Sequence, residues 1–172
     1  MATSTVHEKL NDYSEEQFVK VFGEIFEHSP WIARKAVAER PFDSAEDAFE
    51  VMRKVVENAT ADEQLTLILE HPELGKRIKM SEASVREQSG AGLDSLSPEE
   101  FDIFSATNKA YMAQFHFPFI IAVAGKDKND ILQAMKGRLN NSREAEFETA
   151  LQEIYKIARL RFDAIIDSLL QE

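Results

Sequence analysis

The chain has 172 residues, 44% of them apolar and 30% charged, and its 20 Lys and Arg against 31 Asp and Glu leave a formal charge of −11. That length suits one domain, residues 1–172, with a real core, and the charge repels nucleic acid phosphates and anionic membranes, so neither is expected as a partner. Without cysteine, disulfides and thiolate chemistry are excluded, and with no apolar leader and no apolar run long enough to span a bilayer the expectation is a cytosolic protein.

Residues 1–12 are polar and are expected to be poorly ordered. Ser14-Glu15-Glu16-Gln17 reads as a capping box, and Phe18, Val21, Phe22 and Ile25 follow at helical spacing, which predicts a first helix with a Phe-rich buried face. The chain restarts at Ser29-Pro30-Trp31, with Ser29 as N-cap and Pro30 at the first helical position, and this helix ends before Arg40-Pro41. Ser44 caps a helix through Asn58 with Phe49, Met52, Val55 and Val56 inward. Thr60-Ala61-Asp62-Glu63 opens another, short helix that carries Leu65, Ile68 and Leu69 and ends at His71.

The stretch from Leu67 to Leu93 is the most informative. Pro72 forbids a normal helix across the junction and places His71 at a helix mouth. A new helix restarts at Ser81 and stops in Gly90-Ala91-Gly92; within it Ser84, Glu87 and Gln88 are three and four residues apart and share one face. An imidazole beside hydroxyl, carboxyl and amide suits recognition of a small polar molecule; a helix end with a solvated face is the equally open alternative.

Ser97-Pro98-Glu99-Glu100 starts the next helix, with Phe101, Phe104, Tyr111 and Phe115 in an apolar row and Asn108 among them, read as a buried amide tying two helices together. Residues 115–125, FHFPFIIAVAG, are apolar with Pro118 inside, so a buried segment broken by proline is expected. Its freed N–H groups need partners, from the protein or from a ligand. Lys126 to Asn129 reads as a polar turn, and Asp130 as the cap of a helix carrying Ile131, Leu132, Met135 and Leu139. The last helix, Arg143 to Leu170, has an apolar stripe interrupted by Arg161, whose guanidinium must meet a protein carboxylate or an anionic ligand.

Helical periodicity without strand alternation makes the class all-α, a bundle of about eight helices. The four histidines (His7, His28, His71, His116) lack ligand spacing, so no metal is expected, and no nucleophile elbow is present. What remains is a cofactor-free site of His71, Ser84, Glu87, Gln88 and Arg161, offering an acid/base, neutral hydrogen-bonding groups and an anion anchor.

Six segments, FEHSPW (26–31), HPELG (71–75), SVREQSGAGL (84–93), FSATNKAY (104–111), FPFIIAV (117–123) and EIYKIARLRF (153–162), resemble the 2-oxo-4-hydroxy-4-carboxy-5-ureidoimidazoline (OHCU) decarboxylase family, in order and along most of the chain. The resemblance implies an all-helical, cofactor-free, usually dimeric enzyme of urate degradation that yields (S)-allantoin and CO2. It implies His71 and Glu87 as the catalytic pair, and Pro72, Ser84, Gln88, Arg161 and the backbone of Phe119, Ile120 and Ile121 as substrate contacts. His116 stands where the family usually has glycine. Two rivals stand beside this reading: an acidic, dimeric all-α interaction module without activity, which composition and periodicity alone would favour, and a decarboxylase of the same fold acting on a related ureido or imidazoline acid.

Overall fold

The computed structural model describes residues 2–75 and 82–171. Among them are nine helices and no strand: α1 (Ala2–Asp12), α2 (Glu15–Phe22), α3 (Trp31–Val37), α4 (Ala45–Glu57), α5 (Ala61–Leu69), α6 (Glu82–Gly90), α7 (Pro98–Phe115), α8 (Lys128–Arg138) and α9 (Arg143–Leu170). The all-α class is as periodicity predicts. None of these helices is long and apolar enough to cross a membrane. The chain divides into two compact units, Met1–Leu67 with Tyr155–Glu172, and Ile68–Ile154.

In the first unit α2 packs on α3, α3 on α4, and α1 on α4. Its core is a chain of rings, with Phe18 5.0 Å from Phe22, and Phe162 5.4 Å from Phe22 and 5.3 Å from Phe49. Local caps form as their sequences require. Ser14 and Gln17 close a capping box, Ser44 Oγ accepts from Asp47 N–H, and Thr60 and Glu63 bond reciprocally.

Residues 2–12, polar in sequence, form helix α1, which buries Val6 and Leu10. It is held by contacts remote in sequence: Arg40 Nη1 donates to the carbonyls of Leu10, Asn11 and Tyr13, and Asn11 exchanges two hydrogen bonds with the Phe42 backbone. Ser29 does not cap α3, because its hydroxyl donates to Glu27 O; Pro30 takes the cap position with no side-chain bond. At the end of α5 Leu67 and Ile68 are buried and Leu69 is 51% exposed. Asp127 rather than Asp130 caps α8, and Asp130 returns the bond from the third position, so the helix begins at Lys128. The restart expected at Ser81 lies outside the described residues, and α6 is described from Glu82.

In the second unit α7 packs on α8. Ser97 and Glu100 close a capping box at its start, with Pro98 at the first position. Tyr111 on α7 stands 4.5 Å from Phe115 and 5.3 Å, edge-on, from Phe119. Past Phe115 no helix continues: Phe117 to Ile121 run buried and without regular structure, as Pro118 dictates. Met112, half-buried on α7, lines an open groove of about 580 Å³ with Glu73, Ser105, Lys109 and Ala113.

The turn out of α7 is made by His116 at φ 64° and ψ 27°, its N–H donating to Met112 O. A left-handed residue ending a helix is ordinarily glycine, so histidine keeps the turn at a cost of about 1 kcal/mol. His116→Gly is therefore expected to raise the unfolding free energy by roughly 0.5–1 kcal/mol, the relief of strain exceeding the added entropy of the unfolded chain. Equilibrium urea denaturation measures it, and a loss of stability would mean that the exposed imidazole contributes more than its backbone costs.

Candidate functional site

The loop from His71 to Gly75 is the centre of the candidate site. Helix α5 ends at Leu69, His71 N–H still reaches Ile68 O at 3.1 Å, and Pro72 then offers no N–H to continue the helix. His71 is only 7% exposed. Two amide side chains pin the loop beyond it. Asn108 on α7 donates to Leu74 O at 2.8 Å, and Gln88 Oε1 on α6 accepts from Gly75 N–H at 3.1 Å. Gly75 has φ +78°, and a Cβ there would sit 3.1 Å from Leu96 Cδ1, so the turn is a glycine turn for both conformational and packing reasons.

Asn108 thus performs the tying role its place in an apolar row suggests, but to a loop rather than to a second helix. A carbonyl can only accept, so Leu74 O fixes the amide orientation and leaves Asn108 Oδ1 buried with no hydrogen-bond partner among the described residues.

Helix α6 presents Ser84 and Gln88, both buried, with Glu87 half-buried on the same face. The burial decides against the solvated-face alternative for this stretch. Because Gln88 bonds the Gly75 backbone, this face and the His71 loop meet. The helix closes as its glycines require: Leu93 N–H returns to Gln88 O at 2.9 Å while Gly92 takes φ +81°.

The segment after α7 is held from three sides. Arg143 Nε donates to Phe115 O, Arg138 Nη1 donates to Ile120 O at 2.7 Å, and Glu153 Oε1 accepts from Ala122 N–H at 3.0 Å. Phe119, Ile120 and Ile121 are buried, yet among the described residues their N–H groups meet no acceptor. Buried N–H groups are nearly always paired. A row of unpaired ones is therefore a ready donor set for an oxyanion.

Arg138 is itself fixed by Glu146, Nε to Oε1 2.8 Å, and that wholly buried carboxylate also receives Tyr111 OH and Asn141 Nδ2. Burial, followed by the neighbouring Glu146 carboxylate, pushes the Tyr111 hydroxyl well above the usual phenol range, so it stays a proton donor. The sequence reading missed Arg138, Glu146 and Glu153. Glu146 stands in the first turn of α9 and Arg138 in the last turn of α8, where acid and base are ordinary complements of the helix dipole.

Arg161 belongs to the first unit, where a protein carboxylate meets it: Nη2 lies 3.2 Å from Glu27 Oε2, and Nη1 donates to Glu24 O at 3.3 Å. Glu27 is wholly buried and was not singled out by its sequence context, EHSP, which reads as a surface turn. The other eight residues expected at the site lie in the second unit. No group of three or more His, Asp or Glu able to hold a metal occurs among the described residues.

Comparison with known proteins adds a family. Residues 11–163 match the family model described as OHCU decarboxylase. The chain is similar to the 2-oxo-4-hydroxy-4-carboxy-5-ureidoimidazoline decarboxylase of Haloferax volcanii, 42% identical over 90% of this chain and 92% of that one. It is also 47% identical to the uric acid degradation bifunctional protein PucL of Bacillus subtilis, over 91% of this chain but 32% of the longer protein. A solved structure of (S)-allantoin synthase superimposes with a TM-score of 0.74 at 28% identity, covering 94% of this chain and 54% of that chain. A structure of OHCU decarboxylase in the presence of (S)-allantoin, 24% identical and covering 90% and 99%, shares the fold with a TM-score of 0.70.

Proposed function

The chain belongs to the OHCU decarboxylase family, and we propose that the His71 loop, the Ser84–Gln88 face of α6 and the Phe119–Ile121 backbone form its active site. It is a carboxy-lyase that decarboxylates OHCU in urate degradation. The observation that carries the site is the pinned loop: a buried histidine, held at a proline break by two amides, beside a buried polar face.

In the proposed mechanism the bond from C4 to the carboxylate breaks and CO2 leaves. The electron pair left behind spreads onto a conjugated ring oxygen, where the unpaired N–H groups of residues 119–121 stabilise it. His71 manages the proton of the substrate hydroxyl or carboxylate as acid and base, and Glu87 orients the substrate and shares proton handling. Ser84, Gln88 and Pro72 shape the walls. Protonation of the adjacent ureido-bearing carbon from one face, with loss of the C4 hydroxyl proton to leave a carbonyl there, gives (S)-allantoin. Arg161, already paired with Glu27, is assigned an anionic or carbonyl edge of the substrate on the strength of the resemblance. We take the enzyme to be a cofactor-free cytosolic homodimer acting as one domain, with a small molecule as its partner rather than nucleic acid or membrane; the acidic charge and the absence of cysteine support that setting.

The test is the chirality of the product. Freshly generated OHCU mixed with the protein is expected to give rapid, S-selective allantoin, followed by circular dichroism. Racemic product at the spontaneous rate would refute the stereochemical assignment, and turnover of a different ureido acid alone would move the specificity.

A further inference from the structure

The Ile120–Ile121 peptide ties a candidate oxyanion donor to a part-buried charge. Arg138 Nη1 donates to Ile120 O at 2.7 Å, and its guanidinium lies 4.3 Å from the Phe119 ring centroid. The same peptide carries Ile121 N–H, which meets no acceptor among the described residues. A trans peptide is planar and its C=O and N–H point in opposite directions. Holding the oxygen on Arg138 therefore aims Ile121 N–H to the far side. The next peptide is fixed as well, because Ala122 N–H donates to Glu153 Oε1. Ile121 thus lies between two anchored peptide planes, with little freedom to turn its N–H away.

Aim is half of the effect. A hydrogen bond from a cation to a carbonyl draws electron density toward the oxygen and leaves the N–H of that amide more positive, so it donates more strongly. The cation cannot drift: Glu146 binds its Nε, and Glu146 is wholly buried and fixed by Tyr111 and Asn141. Arg138 Nη2 has no acceptor among the described residues, so its hold on this backbone rests on Nη1 and on the ring.

We propose that Arg138 is a positioning residue of the decarboxylation, acting through the Ile120–Ile121 peptide to aim and strengthen the Ile121 N–H that stabilises the oxyanion left by CO2. This rests on the active-site reading above, and the experiment separates the two.

Arg138→Lys keeps a cation facing Glu146 but loses the planar fork; the double variant Arg138→Met with Glu146→Gln removes both charges and avoids stranding a buried carboxylate. Each full-length protein is labelled with ¹⁵N-isoleucine, with the Ile121 resonance assigned by its loss in Ile121→Val, and turnover of freshly generated OHCU is followed. In both variants the Ile121 amide proton is expected to move upfield, kcat to fall about 10- to 100-fold with KM little changed, and the S excess to erode, more in the double variant than in Arg138→Lys. A merely structural arginine would lower stability and leave kcat per folded molecule and the S excess intact. If the resonance moves while kcat and S excess stay at wild-type values, the clamp exists but Ile121 is no oxyanion donor, and the proposal is overturned. If kcat falls while the resonance stays in place, Arg138 acts by another route, and the proposal is overturned again. A wild type inert toward OHCU would refute the active-site reading itself, and this inference with it.

Discussion

His71→Ala is expected to lose about 10²- to 10⁴-fold in kcat, the range supplied by one positioned acid/base, and to leave allantoin forming slowly and without handedness. The imidazole is buried at a loop whose shape is set by other groups: Pro72 stops the helix, Asn108 holds Leu74 and Gln88 holds Gly75. Removing the ring should therefore leave the loop in place, so that activity falls far more than stability. Far-ultraviolet circular dichroism and urea denaturation establish the fold of the variant, and chiral analysis of allantoin from freshly generated substrate reads the chemistry. Equal rates and equal S excess in wild type and variant would remove His71 from the mechanism. Glu87→Gln sharpens the result, because a group that shares proton handling should alter both rate and handedness, whereas one that only orients substrate should spare the handedness.

Arg161→Ala should cost about 3–5 kcal/mol of unfolding free energy, whatever it does to catalysis. The arginine faces a carboxylate with no exposure at all, 3.2 Å away, and also satisfies the carbonyl of Glu24. Truncation leaves Glu27 buried and without this counter-charge, and that penalty exceeds the value of the pair itself. The double variant Glu27→Gln with Arg161→Met should recover much of the loss, because neither partner is then stranded. Equilibrium denaturation of the single and double variants closes the cycle. A loss under about 1 kcal/mol for Arg161→Ala would show that the pair is not what holds this corner. Kinetics per folded molecule then isolate any part in substrate binding. A rise in KM in the stable double variant supports the substrate contact, and unchanged kinetics would leave Arg161 a structural partner of Glu27.

The sequence displayed what is local and concealed what is remote. Ser14, Ser44, Thr60 and Ser97 were legible as caps because a cap and the N–H it satisfies lie within one turn. The break at His71-Pro72 and the three-residue spacing of Ser84 and Glu87 belong to the same kind of signal. Helix α1 was not legible, since its polar sequence is ordered by Arg40 and by the Phe42 backbone, about 30 residues on. Asp127 and Asp130 were confused because each is a competent cap, and only the fold decides which of them begins the helix. At the site, Gly75 was one glycine among six, and its left-handed turn under Leu96 depends on packing. Arg138 and Glu146 wore the appearance of dipole-complementing charges on a surface, while the structure places that carboxylate in the core.

The buried segment that follows His116 has a consequence for how this protein fails. Phe117 to Val123 is rich in aromatic and β-branched residues and carries no charge, the composition that forms cross-β stacks once exposed. Pro118 interrupts it, and Lys126, Asp127 and Lys128 follow close behind, the residues that act as gatekeepers against strand addition. While α7 and α8 are in place the stretch is sealed. Its exposure on opening is expected to couple loss of structure to precipitation, and inactivation half-lives that follow the unfolding rate rather than the equilibrium stability would show it.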